Sequence, residues 1–325
     1  MSKISLYNRS LQILTDADTH ICILTTFYIL LVDSMFSYEV LFETLVLLVT
    51  IAIYLSYIFF INDYCDMPYD IRAGKRRWVQ DIPLAYSRGI IIGMIAISFF
   101  IVIFIINYTI YTLLYAMTYF TGTFYSAPPF RFKDRRMFGI FADVLIERTL
   151  PLMLIFLFFQ YFEWDALLLL IAFSFFQLEL IVHHQIEDYD ADLATGIDTF
   201  VVDAGREKAL YLLKKFIQPL TGLLILSSFV IIAYRMGGMG IPILLLLSGY
   251  LPTWFAFRKG VLKEEEKVIP PYLKYLFVLS VNVLPFYLGI VLLYRFHPYI
   301  ILFLIFCCSV YPDLSRWKDR VLKVD

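Results

Sequence analysis

The sequence predicts an all-α membrane protein. We expect a polytopic transmembrane helix bundle of nine spans, with a tenth C-terminal segment that either crosses or re-enters, built as two pseudo-repeated halves around a central cavity. Three observations predict this. Of 325 residues, 61% are apolar and only 17% charged, against roughly 25% charged in an ordinary soluble protein. Apolar runs recur along the chain at close to the ~20 residues needed to cross a bilayer. One acidic motif is written twice, at 62–74 and at 185–196. A water-soluble domain could not hide so much apolar surface, so composition excludes a soluble nucleotide-binding or barrel enzyme, a disordered chain and a disulfide scaffold. A net charge of −1 argues against a nucleic-acid partner.

The expected spans fall at about 20–36, 39–61, 89–106, 108–124, 139–161, 165–184, 210–233, 239–257 and 273–294, with the shorter run at 298–312. The whole chain, 1–325, reads as a single integral membrane domain. Met1–Thr19 is polar with no apolar stretch, so no cleavable signal peptide is expected. Cys307 and Cys308 read as helix-packing residues rather than a disulfide, and Cys22 and Cys65 make no metal-binding spacing with them. Long, charged connections follow spans two, four, six and eight; the others are short. All but three of the 27 Lys and Arg (Arg148, Arg235 and Arg295) lie in the N-terminal segment, these four connections and the C-terminal tail. The bias of basic residues toward the cytoplasm makes this side cytoplasmic, the N-terminus included.

After span two the chain reads Asn62-Asp63-x-x-Asp66-x-x-x-Asp70-x-x-x-Gly74; after span six, Gln185-x-x-Asp188-x-x-x-Asp192-x-x-x-Gly196. Positions i, i+3 and i+7 share one face of a helix, so Asp63, Asp66 and Asp70 form a stripe, and Asp188 and Asp192 form a second. One copy would read as solvated loop acids. Two copies in register on one membrane face, with a shared glycine, point to a site between the halves. Facing carboxylate stripes repel unless a cation lies between them. Hard oxygen donors with room for water suit Mg2+, which normally completes its shell with substrate phosphates. Between the copies lies Tyr125-Ser126-Ala127-Pro128-Pro129-Phe130-Arg131-Phe132-Lys133. Arg131 and Lys133, two apart, point the same way from an extended strand, and cations beside such a cage suit a polyanion such as diphosphate. Arg135 and Arg136 read as ordinary positive-inside residues.

These three motifs, in this order, resemble those of the UbiA superfamily of intramembrane prenyltransferases, over about residues 15–295. The third runs from Asp188 through Asp192 and Gly196 to Thr199. The resemblance implies a nine-helix bundle around a lipid-accessible cavity and an enzyme that moves an isoprenyl group, a transferase of alkyl or aryl groups other than methyl. It implies Asn62, Asp63, Asp66, Asp70, Asp188 and Asp192 as Mg2+ ligands, with Asp63, Asp66, Asp188 and Asp192 catalytic. Lys75, Tyr125, Arg131 and Lys133 are implied as diphosphate contacts, and Gln185, Glu187 and His184 as residues just behind the ligands. The chain departs from the pattern where Gln185 offers an amide oxygen in place of an acid, and where 76–83 lacks the family's Arg-Pro.

The expected partners are an isoprenyl diphosphate, a lipophilic acceptor and membrane lipid. The acceptor attacks an allylic carbon in a dry cavity, and a base removes a proton. Asp143, Glu147, Arg148, Glu179, His183 and Asn282 lie inside or at the ends of spans, where polar side chains are expensive and call for a function. A terpene cyclase of the same superfamily would use the same acids, its cation closing on its own chain. An ion-coupled transporter would place its carboxylates near the bilayer midplane rather than at span ends.

Overall fold

A backbone in hydrocarbon must satisfy its own hydrogen bonds, and helices do this segment by segment. The computed structural model describes residues 17–72, 74, 76–260 and 269–321. Among these residues the regular structure is helical, apart from one isolated parallel bridge between Arg136 and Thr199. In chain order the helices are α1 (Ala17–Val32) and α2 (Tyr38–Arg72), then α3 (Leu84–Ile106) and α4 (Thr109–Ser126). Helix α5 runs from Arg136–Val144 through Leu145–Thr149 into Leu150–Phe158. It is followed by α6 (Trp164–Glu187), α7 (Tyr189–Thr195) and α8 (Phe200–Ala204). Then come α9 (Arg206–Arg235), α10 (Gly237–Arg258), α11 (Pro271–Arg295) and α12 (Ile300–Val321).

Six of these, α2, α3, α6, α9, α10 and α11, are long and apolar enough to cross a membrane. Helices stand at the other expected spans too, but α1 and the apolar part of α12 are shorter. Helix α4 is rich in Thr and Tyr, and α5 carries Asp143, Glu147 and Arg148 in its middle. Length and composition therefore mark six crossings where the sequence reading expected nine. The expected boundaries also move. Helix α2 continues through the first acidic motif to Arg72, and α6 reaches Glu187. Peptide groups keep their helical bonds when the side chains turn polar, so the helices outlast their apolar runs.

The bundle closes on itself. Helix α1 packs against α11, α2 against α3 and α4, α5 against α6, α6 against α9, α9 against α10, and α10 against α11, which also carries α12. His20 Nε2 lies 3.0 Å from Ser309 Oγ, joining α1 to α12. At the end away from the acidic motifs, Asp165 accepts from Tyr28 (2.5 Å) and Tyr161 (2.7 Å) and pairs with Arg235 at 3.2 Å. In α3 only 11% of the most apolar window is buried, and in α10 17%. Ile92, Ile97, Phe100 and Phe104 are exposed along α3. Exposed apolar area on this scale is a lipid-facing surface.

Three π turns, Leu145–Thr149, Leu213–Ile217 and Leu279–Val283, each stand directly before a proline at the second residue of the next helical segment: Pro151, Pro219 and Pro285. Proline has no N–H, and its ring presses on the preceding turn. One extra residue in the turn relieves that pressure. In α5 the Leu150 N–H bonds back to the Leu145 carbonyl. The next such bond would run from Pro151 to Ile146, and Pro151 cannot make it. The Tyr54 hydroxyl supplies the donor instead, 2.9 Å from the Ile146 carbonyl. This π turn carries Glu147 and Arg148.

Candidate active site

The first acidic motif lies on the last turns of α2, so Asn62, Asp63, Asp66 and Asp70 are carried by one continuous helix. Arg72 closes it by donating from Nε to the Pro68 carbonyl at 3.1 Å. The second motif begins on α6. The chain bends at Asp188 (φ −87°, ψ 1°), and Asp192 falls in the first turn of α7. Gly74 and Gly196, the shared glycines, stand at φ +69° and +71°. That left-handed conformation ends a helix and is open to glycine without penalty, which explains why the same residue recurs at the same spacing.

The basic segment is not an extended strand. Arg131 stands in the left-handed region (φ 42°), and Phe132–Asp134 forms a 3-10 turn. The turn is held close to α5: a Cβ on Gly139 would lie 2.8 Å from the Lys133 carbonyl. Both cations nonetheless reach Asp66. Lys133 Nζ donates to both Asp66 carboxylate oxygens and, at 3.1 Å, to Asn62 Oδ1. Arg131 Nη2 lies 3.0 Å from Asp66, while its Nε donates to Asp134. The Arg131 guanidinium also lies over the Tyr69 ring, 4.1 Å from its centroid. Burial pushes the Lys133 ammonium below its ordinary range, against the pull of Asp66. Burial opposes the charge of Arg131 too, but Asp134 and Asp66 hold it above the usual value.

Arg136, read from sequence as a topology signal, clamps the motif segments together. Its N–H donates to the Asp198 carbonyl (3.0 Å), and its guanidinium lies 2.9 Å from the carboxylates of both Asp198 and Asp203. This ties the start of α5 to the segment after α7. Ser126 Oγ donates to Asn62 Oδ1 at 2.6 Å, which fixes the end of α4 against α2.

These elements enclose a cavity of about 430 Å3. Of the expected site residues, Asn62, Asp63, Asp66, Asp70, Tyr125, Lys133, His184, Gln185, Asp188 and Asp192 line it. Arg131 acts on Asp66 from outside the lining. Glu187 is exposed, 3.9 Å from His183, and is not among the lining residues. Lys75 lies outside the described residues. Arg77 lines the cavity and pairs with Asp70 at 3.4 Å; His184 lies 3.4 Å from Asp188. Sequence reasoning left Tyr69, Arg77 and Asp134 out of the site, and it named Thr199 only as the end of the third motif; all four line the cavity. It singled out Asp143 and Glu147 as costly span residues without placing them there; both line the cavity. Thr199 was legible as the last residue of the third motif, though no role was given to it; nothing in local spacing marks Tyr69.

The donors fit a hard cation. They are carboxylate and amide oxygens from two sides of one cavity, and Gln185 Oε1 is buried there with no hydrogen-bond partner. Among the described residues, no three acidic, His or Cys side chains converge closely enough to hold an ion by themselves. Three of the acids instead face basic groups: Asp66 faces Lys133 and Arg131, Asp70 faces Arg77, and Asp188 faces His184.

The fold is shared with solved structures. A structure of a UbiA homolog from Archaeoglobus fulgidus bound to GPP and Mg2+ matches with a TM-score of 0.56 and 18% identity, covering 87% of this chain and 99% of that one. The homolog bound to DMAPP and Mg2+ matches at 0.56 and 17% identity with the same coverage. The form bound to Cd2+ matches at 0.55 and 18%, covering 85% and 98%. At such identity the likeness is one of fold. A search of curated proteins found no match. The profile of the UbiA prenyltransferase family matches residues 21–281, most of the chain, and the chain therefore belongs to that family.

Proposed function

We propose that the protein transfers an isoprenyl group from an isoprenyl diphosphate to a lipophilic acceptor within the membrane, and that the transfer depends on Mg2+. One observation carries the reading: both acidic motifs and Lys133 face the same cavity. Asn62, Asp63, Asp66 and Asp70 from α2, with Asp188 and Asp192 from the opposite side, would hold Mg2+ there. Held there, Mg2+ would supply the positive charge that a departing diphosphate needs. Lys133 adds hydrogen bonds to the same oxygens, and Arg131 holds Asp66 in place. Ile58, Phe59, Ile146 and Ile181 line the cavity and exclude water from the allylic centre. The Phe59 ring, in the same lining, offers a π face to its positive charge.

The test uses purified protein in lipid nanodiscs with a membrane lipid extract and deuterated dimethylallyl, geranyl, farnesyl and geranylgeranyl diphosphates. The proposal expects deuterium in a lipid product, loss of that product with a chelator, and its return with added Mg2+. Deuterated hydrocarbons without an acceptor would instead identify a cyclase. Release of neither product would contradict both.

A further inference from the structure

Behind the diphosphate end of the cavity lies a polar network that the proposed transfer does not use. Asp143 and Glu147, one turn apart on α5, both line the cavity. Gln177 of α6 donates through Nε2 to Asp143 Oδ1 (2.9 Å) and to Glu147 Oε2 (2.5 Å). Its Oε1 accepts from Arg148 Nη2 at 3.1 Å. Arginine has donors only, so this bond fixes the amide, and both Gln177 hydrogens must point at the two carboxylates. The Tyr125 hydroxyl donates to the other oxygen of Asp143, at 3.0 Å. Arg148, 1% exposed, pairs with Asp18 of α1 at 2.5 Å. Asp18, Arg148, Gln177, Asp143 and Glu147 thus form one linked polar chain inside a helix bundle. Polar groups buried there are costly, and the Asp18–Arg148 pair already joins α1 to α5. Glu147 and Asp143 are the members of the chain that also line the cavity.

The cavity's charges say what it would meet. Seven Asp and one Glu line it against Arg77 and Lys133. Both of those cations are already placed on motif acids, Asp70 and Asp66. His184, the remaining basic group of the lining, faces Asp188. On α5 the lining next to Glu147 in sequence supplies Asp143 and Ile146, and α6 adds Ile181 to the same cavity. A carboxylate-bearing acceptor would face two acids with no lining cation left to receive it. A hydroxyl would find an acceptor already oriented by Gln177.

Resting on the prenyl-transfer reading, we infer that Glu147 is a catalytic base for the acceptor, and that the acceptor is an uncharged, hydroxyl-bearing lipophile. The hydroxyl donates to the Glu147 carboxylate and passes its proton there. The acceptor's oxygen, or the carbon conjugated with it, forms the new bond to the allylic carbon. The allylic C–O bond breaks, and its electron pair leaves with the diphosphate. Asp143, Gln177 and Arg148 are positioning residues.

The nanodisc assay with deuterated diphosphates tests this. Glu147→Gln keeps the shape and an acceptor oxygen for Gln177 but cannot take a proton. It should lower kcat for labelled lipid about 100-fold or more, leave KM for the diphosphate within about twofold, and leave the Tm unchanged, while Glu147→Asp recovers part of the loss. The acceptor released from the wild-type product should carry a hydroxyl and no carboxylate. Wild-type turnover in Glu147→Gln, or a carboxylate on the acceptor, would overturn the inference. Should Glu147→Gln not accumulate, the acceptor's identity decides alone. Absence of any labelled product from the wild type would overturn prenyl transfer itself, a separate result.

Discussion

Asp66 and Lys133 show how the site is assembled from local rules and one long-range meeting. The acid stripe on α2 was legible because helical periodicity fixes which carboxylates share a face. The second stripe was legible because it repeats the first with its glycine, and Gly74 and Gly196 adopt the same left-handed conformation. The conformation of the basic segment was not legible: Arg131 at φ 42° and the following 3-10 turn reflect its packing on α5, where Gly139 leaves no room for a side chain. Arg136 misled for a similar reason, since its partners Asp198 and Asp203 are distant in sequence. Lys133→Ala should weaken binding of geranyl S-thiolodiphosphate by about 10–150-fold, the equivalent of ~1.5–3 kcal/mol for a hydrogen bond to a charged group. Titration calorimetry in detergent checks this. Unchanged affinity would reduce the lysine to a structural partner of Asp66.

At the scale of elements, the prolines of α5, α9 and α11 were visible in the sequence, but not that each would be answered by a π turn. In α5 the orphaned Ile146 carbonyl is served by Tyr54, a partner distant in sequence. Helix ends were misplaced where apolar runs stopped before the hydrogen-bonded backbone did, most clearly at 62–72 of α2. The cost of Asp143, Glu147 and Arg148 inside a span was legible from their position. Their partners Gln177 and Asp18 were not, because only the packing of α1 and α6 around α5 brings them in. Breaking the buried Asp18–Arg148 pair strands a charge, so Arg148→Met should destabilise the bundle by about 3–5 kcal/mol. The double variant Asp18→Asn with Arg148→Met should regain much of that loss. Thermal melts in detergent read both, and equal Tm values for wild type and Arg148→Met would contradict the role assigned to the pair.

The whole molecule is an integral membrane bundle; that it is apolar enough for a bilayer was legible from composition, but that α3 and α10 are its least buried spans was not, since α10 is also the least apolar of the six. Its expected orientation rests on the one-sided distribution of Lys and Arg. In a background without the native cysteines, Arg206→Cys and Lys259→Cys should resist an impermeant thiol reagent on intact cells. Tyr234→Cys and Tyr294→Cys, at the other end, should be labelled. The reverse pattern would invert the topology and with it the supply of a diphosphate made in the cytosol. The central claim is that the two acidic motifs, brought from opposite sides of the bundle, serve one diphosphate. The most direct measurement is the Mg2+-dependent affinity of geranyl S-thiolodiphosphate for the wild type, for Asp66→Ala on α2 and for Asp188→Ala at the end of α6. The account predicts that either substitution alone removes the Mg2+-dependent binding while the protein still folds as a helical bundle. Undiminished binding in either variant would contradict a single shared site.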